Sequence, residues 1–501
     1  MEIFRGRLTH GLEKSVSGFI SSLEEDVRLI DSDISVLQAH NLMLYKQDYL
    51  EKSDIEKILL GLDDAGIALK DNEDLKKSVG FDPNYYDIHP IIEQYVIDKY
   101  GLEVGGKIHL AKSRNDQVMA DIRMYVRNEI SDISSQLLEL TKTLIGLSEK
   151  HKGTLMCGYT HMQPAQAITY GHYLLSYFDV FQRDLKRLSQ AYDQTNVSPL
   201  GASALAGTTI DVDRQYTADM LGFDKVLENT VDAVSNRDFM LETGFCLTLI
   251  MTSLSRMAED YILWSTREYG LIELSDEFTD TSTAMPQKKN ASLFEMVRGK
   301  TGTSIGTLLQ LLSTVKGLPT GYNQDLQELK HSLWQLIDIA KTSINISKRM
   351  IETAQVNKAN MLESAKRNYV TAIDLAEYIT QEANISFREA HILVGHIIKE
   401  LLTNKIALSD LEADQVNKIS KATIGKEVLL RDDQLKMAVD PLFSIQRRKG
   451  LGNPSPSEVG RMIKERKDLI IGVEYLLNIK TDKIKLANEN RLSEINSILD
   501  R

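Results

Sequence analysis

The sequence predicts an all-α fold, organised around a central bundle of long helices that is shared between subunits. Three observations lead there. The 501 residues hold nine prolines, and none lies between Pro90 and Pro164 or between Pro319 and Pro441. Those proline-free blocks are rich in Leu, Ile, Met, Glu and Lys, which lose little on entering a helix. Within them apolar residues recur at helical spacing, as in Val118, Ile122, Tyr125, Val126, Ile130, Ile133, Leu137 and Leu140. Helices this long do not close a compact core within one chain, so their apolar faces are expected to meet partner helices. The reading finds no internal repeats, low-complexity tracts or alternating strand runs of consequence.

Composition bounds the function. With 42% hydrophobic and 26% charged residues, the chain is an ordinary globular protein, long enough for two or three domains. A net charge of -12 argues against nucleic acid as the main partner. It leaves room for a small anionic substrate in a cleft lined by local Lys and Arg. Two cysteines, Cys157 and Cys246, give no disulfide framework. The opening MEIFRGRLTHGLEKSV carries no apolar run of signal length, and both features fit a cytoplasmic protein. The most apolar stretches, such as 245–254, are far shorter than a bilayer span, so no membrane partner is expected.

In order, the chain divides into a mostly helical part at 1–112, a long-helix part at 113–363, and a small helical part at 364–501 that ends in a polar extension. In the first part, Ser22 reads as a helix cap or turn residue. Asp87 reads as the N-cap of a short helix, with His89 and Glu93 paired at i,i+4. The second part opens on GGKIHLAKSRNDQ, where a glycine pair makes a turn. There Ser113-Arg114-Asn115-Asp116 leads into a helix over 117–150. Free N–H groups at a helix start, an arginine fork and an amide together form a carboxylate receptor, or else an ordinary cap with exposed charge. Next, Thr160 and His161 precede Pro164 where a loop is expected to enter a helix. His161 titrates near neutrality and suits acid–base work. His172 falls inside the helical pattern and is assigned to packing or capping. NVSPLGASALAGT, at 196–208, is a small-residue turn. Further long helices are expected at 232–266, 292–315 and 326–351, with Met257, Tyr261 and Trp264 in the core.

The stretch SDEFTDTSTAMPQKKNASLFE, at 275–295, gathers unlike chemical tools: Ser282, Thr283, Lys288, Lys289 and Asn290. A hydroxyl can move a proton, and an ammonium with an amide can hold an anion. Its Ser/Thr-rich run and Pro286 read as a mobile loop over about 275–291. Glu295, on the first turn of the next helix, complements the helix dipole. In LPTGYNQDLQELK, at 318–330, Tyr322, Gln327 and Lys330 read locally as a turn and a solvated helix face.

The run Thr281 to Asn290 resembles the fumarase/aspartase superfamily loop Gly-Ser-Ser-x-Met-Pro-x-Lys-x-Asn, with Thr281 in place of the glycine. Pro-Gln-Lys-Lys-Asn, Ser-Arg-Asn-Asp-Gln, Gly-Tyr-Thr-His and Tyr-Asn-x-Asp-Leu-Gln are similar to its argininosuccinate lyase branch. Leu110-Ala111-Lys112 departs from that branch's Thr-Gly-Arg. The resemblance implies a lyase that splits argininosuccinate into arginine and fumarate by β-elimination, without a metal or cofactor. It makes Ser282 the base, with Lys288 and backbone N–H groups supporting its alkoxide. Lys288 and Asn290 grip the substrate carboxylate, and His161, polarised by Glu295, manages the proton on the leaving nitrogen. Ser113, Arg114, Asn115 and Thr160 orient the succinyl carboxylates. Tyr322, Gln327 and Lys330 hold the amino-acid end of the substrate, Ser22 contacts it, and Asp87 is a further site residue. The family assembles as a homotetramer whose sites lie at the junction of three subunits. Two alternatives stand beside this: a relative splitting another N-substituted aspartate, and a crystallin-like structural protein.

Overall fold

The computed structural model describes residues 17–70 and 87–500. The opening stretch MEIFRGRLTHGLEKSV lies outside the described residues. Described helices of eight residues or more are numbered here in chain order. The amino-terminal part contributes α1 (Ile30–Lys46), α2 (Lys52–Lys70) and α3 (Ile88–Tyr100). The bundle is α4 (Arg114–His151), α5 (Tyr170–Thr195), α6 (Asp238–Ser265), α7 (Ser292–Val315) and α8 (Glu328–Thr353). Then follow α9 (Lys358–Lys366), α10 (Ala372–Glu382), α11 (Phe387–Asn404), α12 (Ala413–Ile424), α13 (Asp432–Val439) and α14 (Pro456–Ile498).

The all-α expectation holds, and four long helices lie where periodicity placed them. One starts late: α6 begins at Asp238, because Asn229 caps a separate short helix, Thr230–Ser235, and the chain turns before Asp238. The bundle closes on one apolar core, in which Phe178, Phe181, Leu247, Ile250, Leu254 and Phe294 are fully or almost fully buried. Each such side chain stabilises the fold by roughly 1.5–3 kcal/mol relative to exposure. Close approach matters where α5 meets the end of α4. A Cβ on Gly171 would sit 2.7 Å from the Ser148 carbonyl oxygen and 2.9 Å from the Lys152 backbone, so no larger residue fits there unmoved.

Residues of α10 to α13, among them Leu375, Ile379, Leu393, Ile397 and Leu435, form a second, separate core. The C-terminal extension belongs to α14, a single helix of 43 residues. It does not pack with α10–α13 but runs back along α4 and α5. Val459, Met462, Ile463, Ile470 and Ile495 enter the bundle core, and Arg466 forms a fork to both oxygens of Asp179, at 2.7 and 2.6 Å. We retain the three-part division at 112 and 363 as a proposal, with α14 crossing it.

Four two-stranded pairings complete the fold. They are β1 (Leu155–Thr160) with β2 (Gln163–Thr169), β3 (Val197–Ser198) with β4 (Lys225–Val226), β5 (Ile272–Glu273) with β8 (Gln355–Val356), and β6 (Asp280–Thr281) with β7 (Lys289–Asn290). The first corrects the sequence reading. Thr160 and His161 do not enter a helix; they sit at the tip of a hairpin in which Thr160 pairs with Gln163. Pro164 is tolerated because either strand of an isolated pair is an edge, and the register shifts between Gly158 and Tyr159, opposite it. No described helix is long and apolar enough to cross a membrane.

Candidate active site

Ser113 has extended backbone angles and accepts a hydrogen bond from the Asn115 N–H at 3.3 Å. Asp116 Oδ1 returns one from the Ser113 N–H at 2.9 Å, closing a capping box. The same buried carboxylate reaches outward: its Oδ2 accepts from the N–H groups of Gly201 and Ser203, at 3.1 and 2.8 Å. Asn115 Nδ2 donates to the Ala204 carbonyl at 3.0 Å. The 196–208 turn is thus tied to the start of α4. Arg114 Nη1 donates to Asp87 Oδ2 at 2.7 Å, and its guanidinium carbon lies 6.0 Å from the Tyr322 ring centre. Asp87 is the N-cap of α3, as its sequence setting implied, and it also pairs with Arg114.

Behind this cap lies a buried polar cluster. Lys330 Nζ donates to Ser22 Oγ at 2.9 Å and pairs with Asp26, while Ser22 Oγ donates to Asp26 Oδ2 at 2.8 Å. Gln327 Nε2 donates to the Ile20 carbonyl at 2.9 Å. The residues Ser22, Gln327 and Lys330, read as solvated or as turn positions in sequence, therefore meet. Lys330 is 4% exposed and Asp26 fully buried, which rules out the solvated face.

His89 pairs with Asp33 (Nδ1 to Oδ2, 2.9 Å), not with Glu93, which instead contacts His109 at 3.1 Å. Burial opposes protonation of His89, but the Asp33 carboxylate outweighs it and raises the imidazole above its ordinary value. Lys112 is buried too. It donates to Gln117 Oε1 at 2.7 Å, Gln117 in turn bonds Asp33, and burial holds its ammonium below the usual range. Among the described residues, Asp33, His89 and Asp121 are the one group whose metal-type ligand atoms lie within 4.8 Å of one another. Neither Asp121 oxygen has a hydrogen-bond partner among the described residues; His89 Nδ1 lies 3.6 Å away, and burial with the neighbouring Asp33 charge raises the Asp121 pKa, which Lys112 and Lys330 oppose.

The hairpin tip and the 280–290 loop are built differently. His161 and Met162 have φ of 53° and 60°, a turn conformation that normally calls for Asn or Gly. Held there, His161 is exposed, and no hydrogen bond or ion pair is found for it among the described residues. In the loop, Asp280 pairs with Asn290 and Thr281 with Lys289. Thr281 adopts no positive φ, so this backbone does not require the family's glycine. The Ser282 N–H donates to the Lys288 carbonyl at 3.2 Å. Ser282 Oγ accepts from the N–H groups of both Ala284 and Met285, at 3.3 and 3.2 Å. Asn290 Nδ2 donates to Asp280 Oδ1 at 2.9 Å, a bond that lowers the Asp280 pKa. Lys289 is tied to Glu273, Asp276 and the Leu274 carbonyl, whereas Lys288 has no ion pair among the described residues. Glu295 is exposed on the first turn of α7.

The expected site residues therefore fall into three sets. Ser22, Asp87, Ser113, Arg114, Asn115, Tyr322, Gln327 and Lys330 gather at one end of the bundle. Thr160 and His161 on the hairpin, and Ser282, Lys288, Asn290 and Glu295 on the loop side, stand apart. No hydrogen bond or ion pair within the chain joins His161 to Glu295 or Ser282 among the described residues. Sequence reasoning missed Asp26, Asp33 and Asp121, and named Lys112 only as a departure from the family pattern. The available signal was an acid within an apolar helical face: Asp33 sits among Ile30, Ile34 and Leu37 on α1.

Family comparisons bear on this arrangement. Residues 6–306 match the model of the lyase family, and 369–440 match the argininosuccinate lyase C-terminal family. The argininosuccinate lyase of Nitrosopumilus maritimus is 39% identical over 498 residues, covering 99% of this chain and all of the relative. That of Methanocaldococcus jannaschii is 38% identical over 489 residues, 98% of each. Among solved structures, an EDDS lyase in complex with formate superimposes with a TM-score of 0.86 at 26% identity, covering 97% of this chain and 95% of that one. The chain belongs to the argininosuccinate lyase family, within the fumarase/aspartase superfamily.

Proposed function

We propose that the protein cleaves argininosuccinate to L-arginine and fumarate, a carbon–nitrogen lyase step of arginine biosynthesis carried out in the cytoplasm. The observation that carries it is the Ser282 hydroxyl, whose oxygen already collects two backbone N–H donors. The difficult step is removing a proton from the carbon beside a carboxylate, and a serine is a useful base there only if its alkoxide is stabilised. Two aligned dipoles and the unpaired ammonium of Lys288 supply that field. Electrons from the broken C–H bond pass into the neighbouring carboxylate, which Lys288 and Asn290 hold as its charge grows. They return to expel the guanidino nitrogen, which takes a proton from His161, oriented by Glu295. Ser113, Arg114, Asn115 and Thr160 orient the succinyl carboxylates, while Ser22, Asp87, Tyr322, Gln327 and Lys330 receive the arginine end.

The bundle end, the hairpin and the loop side are separate within one chain, so the working site is proposed to form between subunits of a homotetramer. Unpartnered apolar side chains along the bundle support this: Met296, Ile305, Leu309 and Leu312 on α7 are each 47–64% exposed. Mixing the two inactive variants His161→Ala and Ser282→Ala should then restore part of the activity, since some mixed sites carry both native residues. Activity followed by fumarate absorbance that stays absent after mixing counts against a shared site.

A second reading, the same elimination on another N-substituted aspartate, draws on the structural likeness to the EDDS lyase. The 38–39% identity to argininosuccinate lyases, against 26% there, favours the first. Turnover with argininosuccinate decides between them, and silence with every adduct leaves a crystallin-like structural role.

A further inference from the structure

We propose that a cavity behind the His161 hairpin is a binding site for a compact organic cation, of the guanidinium or alkylammonium class, anchored by residues other than those assigned to cleavage. The cavity, about 400 Å³, lies between the β1–β2 hairpin, α5 and α6. That is the size range of small-molecule pockets. Four aromatic side chains line it: Tyr159 and Tyr269, with ring centres 5.8 Å apart, and Tyr173 and Trp264, 4.6 Å apart. Aromatic faces attract cations through their quadrupole, most strongly where water is thinned.

Asp260 is the one acidic or basic residue lining the cavity besides His172. Its Oδ2 accepts the hydroxyls of Tyr173 and Tyr177, at 2.8 and 3.2 Å. Its Oδ1 has no hydrogen-bond or ion-pair partner among the described residues. A half-buried carboxylate with one oxygen saturated and the other without a partner among the described residues, lining a cavity with four aromatic rings, is an arrangement that recognises a cation. His172 donates from Nε2 to the Gly452 carbonyl at 2.9 Å. A neutral ligand would gain only the apolar contact and leave Asp260 Oδ1 unanswered. Thr160, assigned to the succinyl carboxylates, also lines the cavity, whereas Asp260 and the four rings carry no part of the cleavage chemistry, so Asp260→Asn separates binding here from turnover.

Trp264 reports on the cavity, because the chain has only two tryptophans and the second, Trp334, lies elsewhere. In Trp334→Phe, fluorescence is titrated with tetramethylammonium and methylguanidinium, and with their neutral counterparts tert-butanol and methylurea. Calorimetry on the wild-type protein covers the case in which that variant does not fold. Saturable binding of the cations in the millimolar range, at least tenfold tighter than the neutral compounds, supports the site. So does a tenfold loss in both Asp260→Asn and Tyr269→Leu, with the fold intact by circular dichroism. Equal response to cations and neutral compounds, an unchanged response in Asp260→Asn, or no saturation in either method overturns it.

Discussion

The buried cluster around Lys330 and the exposed loop around Ser282 place polar groups under opposite rules. In the cluster most charges are answered from within the chain: Lys330 by Asp26 and Ser22, His89 by Asp33, Arg114 by Asp87; Asp121, without a hydrogen bond among the described residues, is pushed toward its neutral form by burial. Removing charges from water is costly, and such groups persist only when their partners are fixed in place. In the loop and at the hairpin tip, solvent makes unpaired groups tolerable, so Lys288 and His161 stand without ion pairs among the described residues. Under the proposed mechanism, the contrast separates recognition, built rigidly into the bundle, from chemistry, carried on elements proposed to meet another subunit.

The sharpest way to break that contrast is to compare one residue from each side. Ser282→Ala should lower kcat about 10⁴-fold, the upper range for loss of a general base and equivalent to about 5 kcal/mol of barrier. Because the side chain is on an exposed loop, the melting temperature should hardly move. Lys330→Met should behave differently, leaving Asp26 buried and unpaired at a cost of about 4 kcal/mol in stability as well as lost turnover. Urea unfolding and fumarate release, measured on both variants, test the pair. Equal destabilisation of the two would mean that the loop is as integral to the fold as the cluster.

What the sequence made legible follows the same division. Long periodic helices were readable because each repeats one spacing many times, and α7 runs over 292–315 as expected. Ser113 was readable as a cap because capping is a local bond between neighbours in the chain. The hairpin at 155–169 is not legible in sequence, because a proline such as Pro164 suits the entry to a helix and an edge strand equally well. Asp26 and Lys330 were illegible for another reason. Their partnership spans 304 residues, and nothing in either neighbourhood records it. The resemblance to a lyase family recovered Lys330 but supplied no role for Asp26. Only the packed structure joins them.

Protonation gives a graded test within the buried side. His40, fully buried, donates to the Leu110 carbonyl at 2.7 Å, and burial lowers its pKa from 6.5 to about 4. The unfolded chain therefore binds this proton more readily than the folded one. Stability from His40 is intact above pH 6.5 and is lost as pH falls toward 4, by about 3 kcal/mol in all. His89 acts in the opposite sense: its raised pKa contributes stability below pH 6.5 that disappears as pH rises through the folded value. The informative quantity is thus a difference. Unfolding free energy should fall more steeply between pH 6.5 and 4.5 in the wild type than in His40→Gln, whereas parallel slopes would mean that His40 is solvated.

The smallest effect separates two adjacent lysines. Lys289 Nζ is held by Glu273 Oε1 at 2.7 Å, Asp276 Oδ1 at 2.7 Å and the Leu274 carbonyl at 2.6 Å, so it fastens the base of the loop. Such exposed pairs contribute about 0.5–1 kcal/mol together. Lys289→Met should therefore raise KM about threefold to fivefold by loosening the loop, with kcat largely kept, and Lys289→Arg should restore most of the loss. Lys288 has no such tether, and its positive charge is assigned to the growing carboxylate charge, so Lys288→Met should lower kcat with little change in KM. Steady-state kinetics on both variants gives the KM-against-kcat split. If the two losses exchange places, the tether and the catalytic charge have been assigned to the wrong lysines, because a group already committed to three oxygens cannot strengthen its hold on a fourth without releasing one.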